Sequence, residues 1–261
     1  MFDFENSSIC FPGLHIDGGV CYFLCDRNYN GMTNYTYRSN DDVVVNSKRF
    51  LSNDYFQYVI RDSRVLTIIE KVAKGKRFSE IVSNTKPYGI RKYLFNEPDR
   101  YPNSKLQSEP FENSVKIFGV KGVKGGAKRI IGHISPSIVT NNLNSINKYK
   151  LFFTTSYSTD ATEPPEIIIG KPNEVCTETF LLIGPFVSEL LQRNCLSYMK
   201  TNFFKILLYF GKGTMQVTKS VFGLIPLQDF SESWTDEKLY KKYGLTKEEI
   251  DFIERMIRPM E

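Results

Sequence analysis

The hydrophobic and polar positions of this chain fall into several distinct rhythms. Residues 19–25 form an unbroken apolar run, a turn follows at Asn28-Tyr29-Asn30-Gly31, and Thr33-Asn34-Tyr35-Thr36-Tyr37 then alternates with period two. The pattern predicts a β-hairpin over 19–38. Its first strand is apolar on both faces, as expected deep inside a sheet. One hairpin cannot bury such a strand, and the twenty residues before it are too few to cover both faces, so the chain reads as the end of a longer protein. Asp54 can cap a helix from Tyr55 onward, and Val65, Ile68, Ile69 and Val72 recur at helical spacing until Gly75. Residues 78–82 predict a short helix, and the Pro/Gly/Asn-rich stretch 86–113 predicts irregular loops.

From residue 114 the pattern is mostly strand-like. Strands are expected over 115–120, 129–134, 150–156, 166–170 and 176–183. One long packing helix follows over 189–210, with Leu190, Leu191, Cys195, Tyr198, Met199, Phe203, Ile206 and Leu207 on roughly one side. A last short strand is expected at 221–226. Two small helices close the chain: one over 235–243 that stops at Gly244, and one from Thr246 with the capping-box spacing Thr246-x-x-Glu249.

Composition narrows the class. At 261 residues, 41% hydrophobic and 24% charged, the chain is globular and large enough for a real core, not disordered, collagen-like or coiled-coil. No window approaches the roughly 18 unbroken apolar residues of a membrane span. The acidic start Met1-Phe2-Asp3-Phe4-Glu5 lacks the basic region of a secretion signal, so the expectation is a cytoplasmic protein with no membrane partner. Five cysteines, at 10, 21, 25, 176 and 195, lie inside apolar runs and are expected as buried free thiols. Cys21 and Cys25 have no second pair at zinc-site spacing.

Charge is unevenly distributed. Residues 113–159 hold seven bases and no acid, residues 179–228 five bases and one acid (Glu189), and residues 229–261 six bases and nine acids. Such asymmetry suits a polyanion partner for the basic stretches, and equally suits a solvated lysine-rich surface. Within the first basic stretch, Gly119-Val120-Lys121-Gly122-Val123-Lys124-Gly125-Gly126-Ala127-Lys128-Arg129 interleaves glycines with cations. Glycine allows close backbone approach and the cations can neutralise phosphates. The order of a P-loop is missing, and a plain hairpin turn accounts for the same residues. Lys86, Tyr88, Arg91, Lys92 and Tyr93 mix cations with rings, a combination that meets phosphates and stacks on bases, although such tyrosines also simply pack.

Several chemistries lack their residues. An adenosylmethionine site needs a glycine-rich turn after an early strand, and amino-methyl transfer needs an Asn/Asp/Ser-Pro-Pro-Tyr/Phe tetrapeptide. The one Pro-Pro here is Glu163-Pro164-Pro165-Glu166, flanked by charges. Asp236-Glu237-Lys238 fits the Asp/Glu-x-Lys part of a metal-dependent nuclease motif, but it lies in a helical, acidic tail that reads as a solvated face.

Particular strings carry a resemblance. Phe11-Pro12-Gly13-Leu14-His15-Ile16-Asp17-Gly18-Gly19-Val20-Cys21-Tyr22-Phe23-Leu24-Cys25-Asp26-Arg27 resembles the segment closing the methylase core of adenine-specific DNA methyltransferases of type II restriction-modification systems, the group with a fused recognition domain. Cys176-Thr177-Glu178-Thr179-Phe180, Tyr198-Met199-Lys200-Thr201-Asn202-Phe203-Phe204, Ile225-Pro226-Leu227-Gln228-Asp229-Phe230 and Trp234-Thr235-Asp236-Glu237-Lys238-Leu239-Tyr240 are similar to the same family, in the same order. Members carry the cofactor turn and the Pro-Pro tetrapeptide before the first of these segments, and this chain starts after both.

The resemblance therefore implies an α+β protein. Residues 1–45 would be terminal strands of a methyltransferase core, 46–230 an α/β target-recognition domain with the long packing helix, and 231–261 a helical C-terminal segment. The complete enzyme would flip adenine out of duplex DNA and methylate it with S-adenosylmethionine. This chain would hold no cofactor and no catalytic residue, would read double-stranded DNA, and would work with a separate catalytic part. Lys121, Lys124, Lys128 and Arg129, then Lys86 and Arg91, are the expected phosphate contacts. The loop Thr154-Thr155-Ser156-Tyr157-Ser158-Thr159 and the Tyr88 to Lys92 stretch are the expected base readers. A restriction endonuclease subunit, or a truncated remnant without function, are the alternatives.

Overall fold

The computed structural model describes residues 1–16, 18–39, 42–51, 59–123, 126–159 and 161–257. It is an α+β fold of three small sheets and a layer of helices. The N-terminal sheet has the order β2-β1-β3-β4, from β1 (Phe2–Phe4), β2 (Val20–Tyr22), β3 (Thr33–Ser39) and β4 (Asp42–Arg49). β1 runs antiparallel to β2 and parallel to β3, so it separates the two runs expected to form one hairpin; the hairpin is β3–β4 instead. Side chains far apart in sequence decide this. The buried Asp3 carboxylate on β1 accepts from the Tyr35 hydroxyl (2.9 Å) on β3 and from Arg61 Nε (3.0 Å), which locks β1 beside β3.

The apolar run after Gly19 is not doubly covered. β2 stops at Tyr22, and Tyr22, Phe23 and Leu24 are exposed, Leu24 to 96%. Cys21 and Cys25 are exposed with them and Cys10 is half-buried; Cys176 and Cys195 alone of the five thiols are buried as expected.

α1 (Arg64–Val72) follows its sequence pattern, with Val65, Ile68, Ile69 and Val72 buried. The expected start at Asp54 and Tyr55 lies outside the described residues. The start of α1 is held by Asp62, whose Oδ1 accepts from the Arg64 N–H at 3.0 Å. Residues 86–113 form loops, as expected, with one turn of α-helix, α2 (Tyr93–Asn96), and a 3-10 turn at Pro98–Arg100.

The middle of the chain supplies β5 (Val115–Val123), β6 (Gly126–Ile134), β7 (Tyr149–Thr154), β8 (Ile168–Gly170), β9 (Glu174–Cys176) and β10 (Phe180–Phe186). They form two three-stranded sheets, β10-β7-β8 and β6-β5-β9. The run expected as one strand over 176–183 is two, because the chain turns at Glu178-Thr179, where the Phe180 N–H donates to the Thr177 carbonyl (3.2 Å). β7 and β10 are covered on both faces. Leu151, Phe153, Leu181 and Ile183 pack into the helical core, while Phe152, Phe180 and Leu182 pack with Val115, Ile117 and Ile134 of the β6-β5-β9 sheet. The period-two alternation of strand side chains sends neighbouring residues into different cores.

The expected long helix over 189–210 is two helices, α3 (Glu189–Met199) and α4 (Asn202–Gly211). Thr201 takes an extended conformation and caps α4 through Oγ1 to the Phe204 N–H (3.1 Å). Asp236 completes that terminus from a distance, accepting from the Asn202 (3.0 Å) and Phe203 (2.8 Å) N–H groups. Free N–H groups at a helix start attract such acceptors. The strand expected at 221–226 is a 3-10 helix, Lys219–Leu224, because Val221, Phe222 and Leu224 turn together into the helical core.

α5 (Asp236–Tyr243) and α6 (Lys247–Met256) form as read. Gly244 closes α5 in the left-handed region, and Thr246 and Glu249 make the reciprocal capping box. Leu239, Phe252 and Ile253 join the apolar cluster that holds α1 and α4, so this tail shares the core of the segment before it. Among the described residues no helix is long and apolar enough to cross a membrane.

Candidate functional site

The β5–β6 hairpin divides into an anchored half and a projecting half. Val115, Ile117 and Ile134 are buried, and the Phe95 ring lies across the ribbon where two glycines face it. A Cβ on Gly119 would come within 2.2 Å of that ring, and one on Gly132 within 2.7 Å of Leu106, so only glycine lets the ring and the ribbon meet. Beyond this anchor the ribbon leaves the core. Lys121, Gly122, Val123, Ala127, Lys128 and Arg129 are all exposed, so the described part of the glycine-cation string continues both strands of the hairpin and carries cations at the same time.

Lys121 and Lys128 stand directly opposite each other in the ladder. Like charges at opposed positions of an antiparallel pair repel, and an anion placed between them removes that repulsion. Lys124 lies outside the described residues. Arg129 is exposed but engaged: its guanidinium meets the Glu166 carboxylate (3.1 Å) and the Glu166 carbonyl (2.6 Å). Solvent-exposed ion pairs of this kind are weak enough to exchange.

The structure disperses the second group of expected contacts. Tyr88 is fully buried, its ring against Phe152 and its hydroxyl 2.9 Å from Ser145 Oγ, and burial pushes its phenol well above the ordinary range. It belongs to the core and cannot stack on a base. Lys86 sits in a left-handed turn and is half-buried; Arg91 and Lys92 are exposed. Tyr157 is also engaged within the chain. Its ring packs on Phe153, and the Lys212 ammonium lies 3.5 Å from the ring centre, so that face offers no stacking platform.

The polar loop 154–159 has a neighbour that the sequence pattern does not announce. The Tyr157 N–H donates to the Met215 carbonyl (3.2 Å) and the Val217 N–H to the Thr155 carbonyl (2.8 Å), so residues 215–217 run alongside it. Nothing in the local hydropathy of 213–220 signals this, since the pairing joins segments about sixty residues apart.

Residues that could have carried chemistry have structural employment. Glu163 and Glu166, which flank the Pro-Pro pair, are bonded to Lys205 (2.6 Å) and Arg129 (3.1 Å). With both carboxylates paired, that loop does not fit an amino-methyl-transfer site. Asp236 caps α4, and Lys238 bonds Glu232 at 2.6 Å, away from Asp236. Among the described residues no group of three or more His, Cys, Asp or Glu is placed to hold a metal ion. Burial raises the Cys176 and Cys195 thiols well above their ordinary range, which leaves them inert. No family model matches the chain, and no match is found among curated proteins or solved structures.

Proposed function

We propose that this chain is the DNA-recognition part of an adenine-specific DNA methyltransferase of a type II restriction-modification system. It reads sequence for a methyl transfer whose cofactor-binding and catalytic residues another polypeptide segment supplies. The observation that carries the DNA-binding reading is the projecting end of β5–β6, a two-stranded ribbon with Lys121 opposed to Lys128 and no acid between residues 113 and 159. A β-ribbon fits the major groove, and paired cations on it neutralise phosphates. The exposed Tyr22, Phe23 and Leu24 beside the open edge of β2 support the second half of the reading, since a further core segment would cover them.

Duplex binding measured across a salt series tests this. Binding is expected at low salt with a steep log–log salt dependence, and Lys121→Ala/Lys128→Ala is expected to flatten the slope by about two, at roughly 0.9 per phosphate contact. Absence of binding to any duplex at low salt overturns the reading.

A further inference from the structure

Three open cavities connect across one side of the molecule. One of about 410 Å³ is lined by Asn84, Thr85, Lys86, Asn141 and Lys219; one of about 550 Å³ shares Asn84, Thr85 and Lys219 with it. A cleft of about 630 Å³ beside the N-terminal sheet shares Thr218 and Ser220 with the second and adds Gln216. Together they make a trough walled by amides, hydroxyls and lysines. Apolar surface lines much of this trough, and the amides, hydroxyls and lysines are set into it.

Its walls are rigid. Ser83 is tied to β10 by its N–H to the Leu182 carbonyl (2.8 Å) and by its hydroxyl accepting from the Leu182 N–H (2.9 Å), which fixes the approach of Asn84 and Thr85. On the other side Val217 is buried while its neighbours Gln216 and Thr218 are exposed, as the alternation of an extended segment requires. Asn141 braces the Lys86 turn by donating to its carbonyl (3.4 Å).

The functional groups themselves are uncommitted. Among the described residues the side-chain amides of Asn84 and Gln216 make no hydrogen bond, and neither Lys86 nor Lys219 has a carboxylate partner. The acids nearby are engaged. Glu80 accepts from the Arg77 N–H (2.9 Å), Asp3 holds Arg61, and Glu5 accepts from the Ser39 hydroxyl. An amide presents a donor and an acceptor that match adenine N7 and N6, and lysine matches guanine O6 and N7 in the major groove. Free amides on a braced wall whose carboxylates, Asp3, Glu5 and Glu80, already have partners are the equipment for reading bases.

We infer that this trough is the base-reading surface, with Asn84 and Gln216 on base edges and Lys86 and Lys219 on guanine or adjacent phosphate, while the β5–β6 ribbon supplies sequence-independent grip. The inference rests on the DNA-binding reading above and assigns specificity to residues outside the ribbon.

Selection from a random-sequence duplex library with the full chain tests it. The wild type is expected to enrich a motif. Asn84→Ala and Gln216→Ala are each expected to relax one base position by about 5- to 150-fold, with the salt slope unchanged. Lys121→Ala/Lys128→Ala is expected to flatten the slope and keep the motif. Both amides are exposed, and an unchanged circular-dichroism melt confirms that the variants fold. An unchanged motif in Asn84→Ala/Gln216→Ala overturns this inference and leaves DNA binding standing, as does binding by the wild type with no motif. No duplex binding at low salt overturns the DNA-binding reading itself, and this assignment with it.

Discussion

Two apolar runs of the same kind meet opposite fates in this molecule. Leu151-Phe152-Phe153 on β7 and Phe180-Leu181-Leu182-Ile183 on β10 are buried on both faces, between the helical core and the β6-β5-β9 sheet. Val20-Cys21-Tyr22-Phe23-Leu24-Cys25 carries the same uninterrupted pattern and is largely exposed, at the open edge of a sheet whose own buried cluster is Tyr35, Tyr37 and Val45. A continuous apolar run states that a strand has two faces to cover. Whether they are covered depends on what lies above and below: the middle of the chain has both layers, while among the described residues the first run has only the Tyr22 ring stacked on Phe2 and Phe4.

The sharpest way to break this contrast is to open the doubly covered sheet. Phe152→Ala removes a ring that packs with Tyr88 and Phe118 in the second core and is expected to cost about 3–5 kcal/mol of unfolding free energy, read by urea titration.

A subtler consequence of the double cover is Lys150. Its ammonium is buried on β7, donating to the Ser145 (2.9 Å) and Ile146 (2.7 Å) carbonyls, and burial lowers its pKa from 10.5 to about 8. The folded protein therefore releases this proton near pH 8 while the unfolded chain keeps it to about 10.5, so the unfolded state binds more protons in that window and stability rises with pH. Relative to Lys150→Met, the wild type is expected to gain up to about 3 kcal/mol between pH 8 and 10.5. Urea unfolding of both proteins across that range measures it, and a flat difference would mean that the ammonium is solvated.

The smallest effect is expected at the uncovered run. Leu24→Ser should change unfolding free energy by less than about 0.5 kcal/mol while reducing self-association in light scattering. A loss comparable to that of Phe152→Ala would mean that this surface is covered within the molecule, and the contrast would fail.

Much of the local structure was legible in the sequence. The α1 stripe, the stop at Gly244, the Thr246–Glu249 capping box and the β5–β6 hairpin follow from spacing and terminal residues. The break between α3 and α4 was not, because Asp236, more than thirty residues on, completes the cap that makes Thr201 a helix start. At the candidate site the exposed cations Lys121 and Lys128 were readable from the acid-free segment. Tyr88 was misassigned, since a ring among cations reads alike whether it stacks on a base or fills a core.

What the sequence determined by itself is therefore short-range: the α+β character, the helix ends, and the placement of the basic stretches between acidic ones. The tertiary structure alone decided that β1 would lie between β2 and β3, that one apolar run would be enclosed and another left bare, and that residues 84–86 and 216–219 would wall one trough. Capping and alternation act between residues a few positions apart and are written in local order. Strand partnership and burial are settled by competition among distant segments for the same edges and faces, and no local pattern records which segment wins.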